Sequence, residues 1–138
     1  MPGKKVLDSW ALLCYLEREP GYQGVIDLFD DAARSSQQLL MCVINWGEVY
    51  YQVTRRLGER KARKIEALIS SLPIRLVNVD QDLTREAARF KAAKRMAYAD
   101  CFAAALAKRE RAELYTGDPE FKAVEADVQV VWIGEPGA

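Results

Sequence analysis

The sequence predicts an α/β fold, a three-layer α/β/α sandwich around a mainly parallel sheet of about five strands. Short apolar runs of strand length alternate along the chain with longer segments of helical periodicity. One run, from Leu39 to Ile44, is apolar throughout, which is typical of a strand covered by helices on both faces. In a chain of 138 residues we expect a single domain over residues 1–133, followed by a disordered tail over 134–138.

The strands are predicted from apolar runs bounded by polar or turn-forming residues. In chain order they are residues 4–7, 39–44, 74–79, 113–116 and 128–133. A helical segment separates each strand from the next, so the connections are crossovers, and crossovers favour parallel pairing.

The helices are predicted from apolar residues that recur three and four positions apart. In chain order they are residues 10–17, 22–34, 45–57, 59–72, a helix with the inner face Leu83, Ala87 and Phe90, residues 98–109, and a short helix at 119–125. Asn45 and Asp80 are expected caps, because their side chains accept hydrogen bonds from the first turn. Gly58 and Pro73 end the helices that precede them.

Composition excludes several kinds of protein. Twenty basic residues balance twenty acidic ones, so RNA contact would depend on local basic clusters. The chain has no histidine, which excludes histidine-containing zinc sites and the usual hydrolytic triads. No apolar run approaches the roughly 18 residues of a membrane span. No signal peptide is visible either, so we expect a cytoplasmic protein with no membrane partner.

Four acidic residues are candidates for a metal site. Asp100 stands in an alanine-rich helical segment without a cation, and burying a carboxylate there is costly unless its charge is compensated. Asp8 directly follows the first strand, Asp118 lies just past the fourth, and Glu48 falls near the start of the helix after the second. In a parallel sheet these positions meet at the carboxyl edge, where ligands bind.

Each acid also has a structural explanation. Asp8 and Asp118 are suited to helix capping, and Glu48 is favoured near a helix N-terminus. Together, however, four carboxylates at one edge would repel one another strongly. Mg²⁺ or Mn²⁺ would relieve that repulsion, because hard cations prefer oxygen ligands, and such a site supports phosphoryl transfer.

Four segments carry a family resemblance that extends from Val6 to Ile133. They are Val6–Leu13, Asn45–Val49, Ala99–Ala105 and Thr116–Phe121. On these segments the sequence resembles PIN-domain ribonucleases, and specifically toxins of the VapC kind from toxin–antitoxin pairs. The resemblance implies an α/β/α endoribonuclease that depends on Mg²⁺ or Mn²⁺.

The resemblance also implies roles for individual residues. Asp8 and Asp100 would be the core metal ligands, with Glu48 beside them, directly or through water. Asp118 would ligate a second ion or orient the attacking water, and Ser9 and Thr116 would be polar residues beside the site. Two positions depart from the family pattern and are expected to affect substrate fit more than chemistry: Trp10, where a small residue is expected, and Asn45, where Ser or Thr is frequent.

The implied partners are an RNA substrate, a cognate antitoxin whose tail presents an arginine to the acidic pocket, and a second copy in a homodimer. Arg55 shares a helix face with Glu48, so it is a candidate contact for RNA phosphates. A second basic candidate patch comprises Lys91, Lys94 and Arg95. The neighbouring aromatic residues Trp46, Tyr50 and Tyr51 are expected to pack rather than to stack on bases.

Three alternatives remain open at this stage. The chain could be a housekeeping RNA-processing nuclease of the same fold, or a non-catalytic protein-binding domain that keeps the acids as caps. A receiver-type or phosphohydrolase domain would use Asp8 as a covalent nucleophile. We rank that alternative low, because such families need a lysine after a late strand and none follows residues 128–133.

Overall fold

The protein, described here by a computed structural model of residues 3–134, contains one five-stranded sheet. The strands are β1 (Lys5–Leu7), β2 (Leu39–Cys42), β3 (Ile74–Val77), β4 (Glu113–Thr116) and β5 (Val130–Trp132). They lie in the order β3-β2-β1-β4-β5, and every neighbouring pair is parallel. The predicted α/β fold with a parallel sheet is confirmed.

Six α-helices and one 3₁₀ helix connect the described strands. They are α1 (Ser9–Glu17), α2 (Tyr22–Ser35), α3 (Val43–Leu57), α4 (Glu59–Ser70), α5 (Gln81–Ala93), α6 (Tyr98–Glu110) and the 3₁₀ helix Pro119–Val124. The last had been predicted as an ordinary short helix. Asp80 caps α5 through the Leu83 N–H, as predicted.

The predicted boundary between β2 and α3 is wrong. The strand ends at Cys42, and the helix begins at Val43 without a connecting turn. Asn45 therefore lies inside the first turn of α3 and does not cap it. An apolar run has the same appearance in a buried strand and in the first turn of a helix, so hydrophobicity alone did not reveal where the strand ended.

The core consists of two apolar clusters, one on each face of the sheet. Alternation along β1 directs Val6 into the cluster under α5 and α6, and Leu7 into the cluster under α1 to α4. Residues 100–107 of α6 are all buried, and α6 contacts β1, β2 and β4. The small alanine side chains let this helix lie close to the middle of the sheet.

The chain order reverses around β1, because β2 and β3 lie on one side of it and β4 and β5 on the other. Ligands of open parallel sheets bind outside the carboxyl ends of the strands at such a switch point.

Of the predicted tail, only Gly134 falls among the described residues; 135–138 lie outside them. Over the described part of the chain, no helix has the length and apolar character needed to cross a membrane.

Candidate metal centre

Asp8 lies at the carboxyl end of β1, and its side chain is fully buried. Its Oδ1 accepts a hydrogen bond from the Ala11 backbone N–H at 2.9 Å, so Asp8 caps α1. Its Oδ2 accepts a short hydrogen bond from the hydroxyl of Thr116, the last residue of β4. One carboxylate therefore connects β1, α1 and β4 at the switch point.

A chain of hydrogen bonds continues from Thr116 along the loop after β4. Thr116 Oγ1 accepts from the Asp118 backbone N–H at 3.0 Å. Asp118 Oδ1 accepts from the Glu120 backbone N–H at 2.9 Å and so caps the 3₁₀ helix. These bonds determine where the Asp118 and Glu120 side chains emerge beside α6.

Asp100, Asp118 and Glu120 form a close group of carboxylates. One oxygen of each lies within 4.8 Å of one oxygen of the other two, and residues 3–134 contain no other such group of metal-ligating side chains. Asp100 is only 6% exposed, whereas the other two are half-buried. Glu120 also accepts a short hydrogen bond from the Ala97 N–H, which ties the 3₁₀ helix to the start of α6.

Sequence reasoning missed Glu120. A signal was available, because Glu120 follows Asp118 by two residues within the segment that carries the family resemblance. Its direction, however, depends on the tight 3₁₀ turn, which the predicted helix at 119–125 did not contain.

Glu48 lies beside Asp8 and outside the three-carboxylate group. Its Oε1 accepts from the Ser9 hydroxyl at 2.8 Å, and its Oε2 accepts from the Gln52 amide at 3.2 Å. Because α3 begins at Val43, Glu48 is in the second turn of the helix. Asp8 is thus close both to Glu48 and to the three-carboxylate group, since the charges of Asp118 and Glu48 both raise its pKa.

We use the term acidic cluster for Asp8, Glu48, Asp100, Asp118 and Glu120 together. Within residues 3–134, no lysine or arginine forms an ion pair with any of the five. The cluster therefore concentrates negative charge at a partly buried edge without a compensating cation from the described chain.

The pKa values of the two most buried acids reflect this arrangement. Burial raises the pKa of Asp8 from 3.8 to about 7, and the charges of Asp118 and Glu48 contribute in the same direction. Burial likewise raises the pKa of Asp100, with further contributions from Glu120, Asp118 and Asp8. The acids thus share one electrostatic neighbourhood, in which a bound cation would oppose the rise in pKa.

Asn45, which had been predicted to cap α3, connects α3 to α6. Its fully buried side chain donates from Nδ2 to the Ala99 carbonyl at 2.9 Å, directly before Asp100. Its Oδ1 is buried without a hydrogen-bond partner in the part of the chain that the structure describes. Asn45 therefore holds the helix that carries Glu48 against the helix that carries Asp100.

The predicted basic contacts are dispersed. The Arg55 guanidinium lies over the Tyr51 ring, 4.9 Å from its centroid. Lys91 donates to the Met96 carbonyl at 2.7 Å, and Lys94 lies 3.5 Å from Asp127. Arg95 is exposed and makes no ion pair with another described residue.

The family follows from a match along most of the chain. The model of the PIN domain family matches residues 5–127. The chain belongs to the PIN domain family. No curated protein matches the sequence of this PIN domain.

Solved structures share the fold of this PIN domain at low sequence identity. A chain of VapBC2 from Rickettsia felis, bound to a promoter DNA fragment, is 14% identical with a TM-score of 0.76, covering 93% of this chain and 97% of that one. DNA-bound VapBC from Salmonella typhimurium is also 14% identical, with a TM-score of 0.76 and coverages of 95% and 98%. VapC20 from Mycobacterium tuberculosis, a sarcin-ricin loop cleaving toxin, is 18% identical, with a TM-score of 0.63 and coverages of 88% and 95%.

Proposed function

We propose that this PIN domain is an endoribonuclease that cleaves RNA phosphodiester bonds and depends on Mg²⁺ or Mn²⁺. The observation that carries the proposal is the acidic cluster at the carboxyl edge of β1 and β4. Three of its carboxylates lie within 4.8 Å of one another, and none of its five members is paired with a cation of residues 3–134. A buried group of like charges is costly unless something compensates it.

The donor set fits a hard divalent cation. All five candidate ligands offer carboxylate oxygens, which suit Mg²⁺ and Mn²⁺, and the chain has no histidine to favour zinc. We assign all five carboxylates to the ligand set: Asp100, Asp118 and Glu120 form one group within it, and Asp8 and Glu48 form the second. When bound, the ion would lower the pKa of an attacking water and stabilise charge on the leaving oxygen.

The chain's own contribution is to hold these carboxylates in place. Thr116 and the Ala11 N–H orient Asp8, while the Ser9 hydroxyl and the Gln52 amide orient Glu48. Each carboxylate oxygen retains a second lone pair for a ligand after it accepts one hydrogen bond. Partners of this kind orient ligands and tune metal affinity.

We further propose that the nuclease is the toxin of a toxin–antitoxin pair. The structures from Rickettsia felis and Salmonella typhimurium are VapBC complexes, and VapC20 is a toxin that cleaves the sarcin-ricin loop; both observations support this role. An antitoxin tail that carries an arginine would supply the cation that the acidic cluster lacks. A homodimer and a cytoplasmic location belong to the same proposal.

Cleavage of an RNA substrate with Mg²⁺, with Mn²⁺ and with EDTA tests the nuclease. The wild type should cleave with either ion and not with EDTA. Asp100→Asn keeps the shape of the side chain but removes its charge, so cleavage should fall by at least about 100-fold while the fold is retained. Wild-type cleavage by this variant would refute the proposal.

Asp80→Asn is the matched control. Asp80 is an exposed aspartate that caps α5 and pairs with Arg109, at the opposite end of α6 from Asp100. Its substitution should leave cleavage unchanged.

Induced expression of wild type and Asp100→Asn then tests the toxin role, because only the wild type should arrest growth. Cleavage without growth arrest would favour a processing nuclease.

A further inference from the structure

The indole of Trp10 lies in a slot between two glycines. A Cβ built on Gly117 would lie 2.5 Å from Trp10 Cζ3 and nearer still to Cη2 and Cζ2. On the other side, a Cβ on Gly21 would lie 3.4 Å from Cη2 and 3.2 Å from Ile133. The six-membered ring thus fills the space that a side chain at position 117 would need, and it lies at van der Waals distance from position 21.

The two glycines are required for different reasons. Gly21 has φ of +100°, a left-handed conformation that L side chains rarely adopt. Gly117 is not among the glycines with positive φ, so its backbone conformation is open to other residues. The three atoms nearest to a Cβ at position 117 all belong to the Trp10 indole, which makes Trp10 and Gly117 a matched pair.

Gly117 occupies the middle of the loop that serves the acidic cluster. Thr116, on one side of it, donates to Asp8 and accepts from Asp118, on the other side. Trp10 itself follows Asp8 by two residues, at the start of α1. The indole therefore packs on the one residue that separates the Thr116 hydrogen bond from the Asp118 carboxylate.

We infer that Trp10 is a positioning residue for the metal centre, because its packing on Gly117 sets where Asp118 lies relative to Asp8 and Asp100. The inference rests on the proposed function, since it takes Asp118 as part of the ligand set. It also gives a reason why position 10 carries Trp, where the family pattern has a small residue. A small residue there would leave the loop unsupported on this side unless position 117 carried a side chain.

Four proteins test the inference: wild type, Trp10→Ala, Gly117→Ala and the double variant. Each single change should raise the Kd for Mn²⁺, measured by isothermal titration calorimetry, by about tenfold, as expected when a residue that orients a ligand is lost. In the Trp10→Ala background, Gly117→Ala should cause no further loss, because the indole that its methyl group would strike is absent. Two losses that add, or a Trp10→Ala protein with wild-type Kd, would overturn the inference.

Trp46→Ala controls for general loosening of the core. Trp46 is also partly buried against the same apolar cluster, but it packs on Tyr50 of α3. Its loss should lower the melting temperature and change the Mn²⁺ Kd by less than about twofold. An equal rise in Kd for Trp46→Ala would show that any lost indole weakens the site, against a specific role for Trp10.

The same measurements separate this inference from the proposed function. If the wild type binds no Mn²⁺, the proposed function fails first. If the wild type binds Mn²⁺ and Trp10→Ala binds it equally well, only the positioning role fails. Urea unfolding of the four proteins adds a readout without metal, in which the matched pair should show a coupling free energy clearly different from zero.

Discussion

The two ends of helix α6 treat acidic residues in opposite ways. At the amino end, Asp100 lies in the acidic cluster, whose members pair with no cation of residues 3–134. At the carboxyl end, basic residues pair with three acids: Lys108 with Glu86, and Arg109 with Asp80 and Glu110. The acids at the amino end thus have no ion-pair partner among residues 3–134, whereas these three acids at the carboxyl end each have one.

The pKa values differ in the same way. Burial raises the pKa of Asp8 and of Asp100, and neighbouring carboxylates raise both further. The hydrogen bond from Lys108 lowers the pKa of Glu86, and that from Lys4 lowers the pKa of Glu110. The same kind of side chain is thus destabilised as an anion at one end and stabilised at the other. The comparison supports the proposal that the amino end of α6 binds a metal ion.

The largest expected effect is a loss of stability of the metal-free protein as pH rises. The pKa of Asp8 is about 7 in the folded protein against 3.8 ordinarily, so between these values the folded state keeps a proton that the unfolded state has lost. The free energy of unfolding should therefore fall across this window, by roughly 1.4 kcal/mol per pH unit and several kcal/mol in all.

Urea unfolding in EDTA at pH 5 and pH 8 measures this effect. Asp100→Asn removes one of the repelling carboxylates, so its free energy of unfolding should change less over the same range. A wild-type stability that rises with pH would contradict the raised pKa values, since it would mean that the acids ionise more readily in the folded protein.

The next effect is stabilisation by Mn²⁺, which should compensate the negative charge of the acidic cluster at the amino end of α6. At a free concentration 100-fold above its Kd, the ion should add about 2.7 kcal/mol to the free energy of unfolding. The gain should be smaller at pH 5, because protonated carboxylates bind metal poorly. Thermal unfolding with and without Mn²⁺ measures it, and an equal gain in Asp100→Asn would place the ion elsewhere.

A smaller effect is expected from Glu120→Gln, which tests the acid that sequence reasoning missed. The amide can still accept the hydrogen bond from the Ala97 N–H, but the negative charge beside Asp100 disappears. The pKa of Asp100 should fall toward its ordinary value, and the Mn²⁺ Kd should rise by about tenfold.

Glu125→Gln is the matched control, because Glu125 follows the 3₁₀ helix but accepts from the Trp132 indole at 3.2 Å. Its Kd should equal that of the wild type. If Glu120→Gln also binds Mn²⁺ with the wild-type Kd, Glu120 is a structural contact of α6 and not a ligand.

The smallest effect is expected at the carboxyl end of α6, where the acids are paired with basic residues. Lys108→Met removes the ion pair with Glu86 but keeps an apolar stem over Phe90. Because the pair is exposed to solvent, the free energy of unfolding should fall by less than about 1 kcal/mol, and Mn²⁺ binding should not change. If Lys108→Met changed the Mn²⁺ Kd as much as Glu120→Gln does, the two ends of the helix would be coupled.

Much of the candidate site could be predicted because it depends on where strands end. Asp8 and Asp118 follow strands whose short apolar runs are visible in the sequence, and parallel pairing brings those ends to one edge. Asp100 was identified from the cost of burying a carboxylate among alanines. Glu120 and Asn45 were missed or misassigned, because their roles depend on a 3₁₀ turn and on a helix that begins two residues early.

By itself, the sequence determined the α/β class, the order of elements and the family, since each depends on local periodicity or on short segments in a given order. The tertiary structure alone decided which carboxylates meet. Glu120 extends from the 3₁₀ helix and joins Asp100 and Asp118, whereas Glu48 extends from the second turn of α3 and lies beside Asp8. These directions depend on how the two helices pack at the edge of the sheet, which local sequence patterns do not reveal. The pairing of Trp10 with Gly117 is likewise invisible in sequence, because it depends on the first turn of α1 meeting the loop after β4, which happens only once β1 and β4 have paired.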